Sequence, residues 1–61
     1  MSRDELKRLL WEWLEEYVTP DDTTQKVVSQ FAGVRPDLHA RYSFWIKETV
    51  QEYFRTMRSR E

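Results

Sequence analysis

A single glycine and two prolines are the only strong helix breakers in this chain, and they stand at positions 20, 33 and 36. The stretches around them carry apolar residues at helical spacing, so the chain is expected to fold as helices separated at those points. Ser2 followed by Glu5 fits a capping box, and Leu6, Leu9, Leu10, Trp13, Leu14 and Tyr17 continue it as an apolar stripe. This predicts a first helix over about residues 3–18. Thr19, Pro20, Asp21 and Asp22 read as a second start, because threonine caps, proline is pre-set for the first helical position and carboxylates suit the positive end of the helix dipole. A second helix over about residues 20–32 follows, with Val27, Val28, Phe31 and Ala32 on its buried side. Gly33 is expected to end it as a left-handed cap, and Pro36 to open a third helix over about residues 36–58. Leu38, Tyr42, Trp45, Ile46, Thr49, Val50, Tyr53 and Met57 keep one face of that helix apolar over nearly six turns.

At 61 residues the chain is a single domain and needs a dense core, since so short a domain buries only about 60% of its unfolded surface. Three each of Trp, Tyr and Phe supply that density, each able to bury about 150–250 Å². With no cysteine, neither a disulfide framework nor a thiolate zinc site can stand in for packing. The expected architecture is all-α: a compact three-helix bundle spanning residues 1–61. The opening MSRDELKR lacks the apolar centre of a signal peptide, and no apolar run approaches the roughly 20 residues that span a bilayer. The reading is a soluble, intracellular chain, cytoplasmic or associated with the nucleoid or nucleus, with no membrane partner.

Candidates for catalysis are few. His39 is the only histidine, and Ser29, Ser43 and Ser59 lack the surroundings of a nucleophilic triad. His39 lies beside the apolar face of the third helix and reads as a partly buried, satisfied side chain rather than a metal ligand. Glu12, Glu15 and Glu16, like Asp21 and Asp22, read as solvated helix faces. No enzyme activity, cofactor or metal is expected.

The net charge of −1 divides unevenly: residues 1–32 hold four Lys/Arg against seven Asp/Glu, and residues 33–61 hold six against four. The basic half also carries an anomaly. Phe44 projects away from the apolar stripe of the third helix, among Ala40, Arg41, Lys47, Glu48 and Gln51, where a large aromatic suits contact with a partner. Trp11, at the edge of the first helix's stripe, is a secondary candidate for the same role. Arg55, Arg58 and Arg60 favour the negative end of the third helix's dipole and are secondary candidates for touching phosphate or an acidic partner.

Residues 27–42, VVSQFAGVRPDLHARY, resemble the centre of helix-turn-helix DNA-binding domains. Ser29, Gly33, Val34, Arg41 and Tyr42 match the small residue four before the turn glycine, the glycine, the apolar residue after it, and an arginine followed by an aromatic. The resemblance implies that the second helix crosses the DNA backbone and the third enters the major groove, giving a small DNA-binding, transcription-regulating domain. Arg35, Ala40, Arg41, Phe44 and Lys47 would then form the contact surface, with the arginines on guanine or phosphate and Phe44 or Ala40 on a thymine methyl. The alternative is a non-enzymatic interaction module that binds a protein, or a second copy as a homodimer, through its exposed aromatics. Asp37 and Glu48 on the proposed reading face and the acidic first helix depart from the DNA-binding pattern. The helix-turn-helix reading is nonetheless the one preferred from sequence, because it accounts for Gly33, Val34, Arg41, Tyr42 and the outward Phe44 together.

Overall fold

The computed structural model describes residues 2–19 and 21–59, and these described residues form three helices, α1 (Arg3–Tyr17), α2 (Thr24–Val34) and α3 (Pro36–Ser59). Both α1 and α2 pack against α3, forming the expected all-α three-helix bundle. Among the described residues no helix is long and apolar enough to cross a membrane.

The start of α1 follows the capping signal: Ser2 is extended (φ −78°, ψ 163°), and its Oγ accepts a hydrogen bond from the Glu5 amide at 3.2 Å. The helix ends where Val18 turns extended and becomes buried, its N–H still donating to the Leu14 carbonyl.

The start of α2 differs from the sequence expectation. Helix α2 begins at Thr24 rather than near Pro20, because Asp22 is engaged with Thr19 instead of opening a helix. Asp22 Oδ2 accepts from the Thr19 amide at 3.0 Å and from its hydroxyl at 3.3 Å, while the Asp22 amide donates back to the Thr19 carbonyl at 3.1 Å. The reciprocal bonds close a turn. Thr23 then caps α2, its Oγ1 accepting from the Lys26 amide at 3.2 Å. Pro20, assigned from sequence to the first helical position, lies outside the described residues, as does Arg60.

A second correction concerns Gly33. It is not a left-handed cap; no glycine here has positive φ, and α2 continues through Gly33 to Val34. Pro36 sets the end instead, since its ring disfavours helical backbone at the residue before it. Arg35 accordingly takes φ −131°, ψ 72°, and it alone joins α2 to α3. Its N–H donates to the Phe31 carbonyl at 2.8 Å and its carbonyl accepts from the His39 amide at 3.1 Å, so one residue closes one helix and opens the next.

Helix α3 is also not one uninterrupted helix, because Tyr42 has non-helical backbone (φ −127°, ψ 32°). Its ring stacks on Trp45, with centroids 5.2 Å apart and planes 13° apart. Beyond this break Ile46, Thr49, Val50 and Tyr53 are buried against Leu6, Leu10 and Leu14 of α1 and Val27 and Phe31 of α2. Thr49 is tolerated there because its hydroxyl donates to the Trp45 carbonyl at 2.8 Å.

The register of α1 on α3 is marked by two ion pairs, Arg3 with Glu48 at 3.0 Å and Lys7 with Glu52 at 3.1 Å. Both partners advance by one helical turn together, so α1 and α3 run parallel. Such exposed pairs contribute about 0–1 kcal/mol each and align the helices more than they stabilise them.

Gly33→Ala is expected to raise stability by about 0.5–1 kcal/mol, because the residue is helical and an added Cβ meets no atom within 4 Å. A urea melt with a lower midpoint than wild type would show that the glycine is required after all.

Asp22 yields a pH prediction. The Thr19 amide, above all, holds its carboxyl below the usual aspartate value, with Lys26 (Nζ 3.3 Å from Oδ1) adding to the effect. A depressed folded value contributes stability above the unfolded pKa, and that contribution is lost as pH falls through the folded one. Asp22→Asn should therefore lower the melting temperature at neutral pH, with the gap to wild type closing in strong acid. A gap independent of pH would contradict the assignment.

Candidate interaction surface

The residues nominated from sequence all reach solvent. Ala40, Arg41 and Lys47 lie within about one turn of Phe44 along α3, whereas Arg35 precedes that helix and Arg55 and Arg58 lie further along it. Arg35, Ala40, Arg41, Phe44 and Lys47 are exposed, and Phe44 most clearly, at 67%. Phe44 stands two residues before the fully buried Ile46, which on a helix places the two side chains about 200° apart. It therefore leaves α3 on the side away from the core. Arg35 lies 3.7 Å from the Asp37 carboxylate. Lys47 lines an open depression of about 450 Å³ with Thr24, Gln25, Val28, Ser29 and Gln51 between α2 and α3. Arg55 and Arg58 lie further along α3, beside another depression that includes Asp21 and Asp22.

Trp11 is half-buried in the α1–α3 seam. Its ring meets Tyr53 edge-on at 5.0 Å and the Lys7 ammonium lies 5.9 Å from its centroid, so much of its surface is used within the fold. His39 is half-buried as well, and among the described residues no group of three His, Asp or Glu side chains converges as a metal site would require.

Sequence reasoning missed a second apolar surface. Tyr17 was assigned to the buried stripe of α1, yet it is 62% exposed, and Val34 is 56% exposed. Together with Trp13 and Gln30 they line an open depression of about 550 Å³ between α1 and α2. The Trp13 ring packs edge-on against Phe31 at 5.2 Å and lies 5.7 Å from Tyr17, joining the surface patch to the core. The available signal was positional: Tyr17 is the last residue of α1, and Val34 is the last of α2, where a stripe outruns the helix that would cover it.

The exposed charges of α1 and α3 that enter no ion pair among the described residues are mostly of opposite sign, Arg8 on α1 being an exception. Glu12, Glu15 and Glu16 of α1 are exposed and, among the described residues, enter no ion pair. Arg41, Lys47, Arg55 and Arg58 of α3 are likewise exposed and unpaired among those residues. The last turn of α1 contains no basic residue, so Glu15 and Glu16 sit unopposed at the negative end of the helix dipole.

No protein-family model, curated protein or solved structure matches this chain.

The outward direction of Phe44 sets up a direct contrast. Phe44→Ala should change stability by no more than about 0.5 kcal/mol, whereas Ile46→Ala should cost about 2–5 kcal/mol through the cavity it leaves. Equal shifts in two thermal melts would place Phe44 in the core.

Proposed function

We propose that this chain is a non-enzymatic protein-interaction module whose principal contact is the exposed face of α3 around Phe44. The observation that carries the reading is the 67% exposure of Phe44 beside a core that closes without it. An aromatic ring held on a rigid helix binds with little loss of conformational entropy, and Arg41 and Lys47 on the same helix supply a polar rim. Tyr17 and Val34 give the molecule further apolar surface beyond that of its core.

A DNA-binding role is the second reading, favoured by the unpaired Arg41 and Lys47 near Phe44 on the segment that the helix-turn-helix resemblance would place in the major groove. Three features favour the protein partner over it. The connection between α2 and α3 is the single residue Arg35, shorter than the three to four residues usual in such turns. Val34 is largely exposed rather than packed beneath the turn. The surface acids outnumber what a phosphate-driven complex favours, with Asp37 exposed on α3 and an acidic α1.

A photoactivatable benzophenone side chain installed at position 44 should crosslink to protein in cells, while the same group at position 25 should not. The reading is overturned if position 44 crosslinks to nucleic acid and the purified protein binds mixed duplex DNA with an affinity that falls steeply with salt and is lost in Arg41→Ala.

A further inference from the structure

We infer that the partner is a second copy of this chain, bound head to tail, with Phe44 of one molecule seated in the α1–α2 depression of the next. The inference rests on the protein-interaction reading and identifies its occupant. The first argument is shape. Phe44 is a single apolar projection, and the depression walled by Trp13, Tyr17 and Val34 is an apolar recess of about 550 Å³ to which α3 contributes no lining residue. A projection and a recess of matching polarity thus occur on one molecule.

Charge provides the second argument. Arg41 and Lys47 accompany the projection, whereas the exposed Glu16 stands one turn on from Trp13 on α1, beside the recess. Docking Phe44 into the recess brings these unlike charges toward one another, and pairing the recess with its own copy brings glutamates toward glutamates. Glu16 stands where the α1 dipole disfavours an acid, and no basic side chain in that turn offsets it. A contact in trans supplies the missing positive charge.

Geometry decides the mode of assembly. Phe44 leaves α3 on the side away from the core, and the recess opens between the other two helices, so the two surfaces face different directions. Joining unlike surfaces that point apart is a heterologous contact, which adds copies in sequence rather than stopping at a two-fold pair. A contact built on one aromatic and a few charges is small, and the association belongs at the weak end of the range for protein pairs.

Sedimentation of the full chain across increasing concentration reads the inference directly. The mean mass should rise past that of a dimer. Phe44→Ala should remove the projection and Tyr17→Ala one wall of the recess, each alone lowering association at least tenfold while leaving the thermal melt unchanged. Mixed together, the two variants should form a one-to-one complex and nothing larger, because only one intact projection then meets one intact recess. Glu16→Lys should also weaken self-association at least tenfold without lowering the melting temperature. A wild-type mass that plateaus at the dimer, or stays monomeric at millimolar concentration, overturns the head-to-tail assembly. So does a mixture of the two alanine variants that remains monomeric. A monomeric wild type would leave the broader protein-interaction reading to the crosslink at position 44, which reports any protein partner.

Discussion

The seam along the inner face of α3 is the constraint on which the rest of this structure depends. Ile46 and Val50 are fully buried there, facing the leucines of α1 on one side and Val27 and Phe31 of α2 on the other. Because α3 carries both contacts, the two shorter helices are placed by their separate fits to it. The parallel alignment of α1 is then adjusted by Arg3 and Lys7 reaching Glu48 and Glu52. Hydrophobic area supplies the stability of this arrangement, and the exposed ion pairs select its register.

The pairing has an electrostatic by-product. Arg3 and Lys7 face α3, so two of the cations on α1 are used inside the fold and the outer arc of that helix is left mostly acidic. On α3 the same bridges occupy Glu48 and Glu52, which leaves Arg41, Lys47, Arg55 and Arg58 to set the sign of the solvent side. A chain with a net charge of only −1 thereby separates its charge across the molecule. Folding amplifies a polarity that is only modest along the sequence.

The helices and most of the core were legible in the sequence because they depend on periodicity, which is local. Leu6, Leu10 and Leu14, or Ile46, Val50 and Tyr53, announce a buried face wherever they occur at three- and four-residue spacing. Boundaries were less legible because several residues competed for the same role. Thr19 and Thr23 are both plausible caps, and only the engagement of Asp22 with Thr19 decides between them. Gly33 reads as the terminator of α2 and Pro36 only as the opening of α3. Yet proline is a steric prohibition on the residue before it and glycine only a permission, so Pro36 determined where α2 stops. The break at Tyr42 carries neither residue and left no such mark. Of the candidate surface, Phe44 was visible because it falls off the stripe. Tyr17 and Val34 lie on their stripes, and their exposure depends on how far the neighbouring helices extend, a tertiary quantity.

The junction at Arg35 has a consequence for how this protein can vary. Its amide and carbonyl are both spent on the helices it joins, and no other residue separates them. Inserting one residue within the helices at either side of the junction would turn the following face by about 100°, carrying Ile46 and Val50 out of the core. The connection between α1 and α2, by contrast, spans several residues and has room to absorb a change in length. Length variation among descendants of this chain should therefore collect between α1 and α2, while the α2–α3 corner is inherited as an indivisible unit.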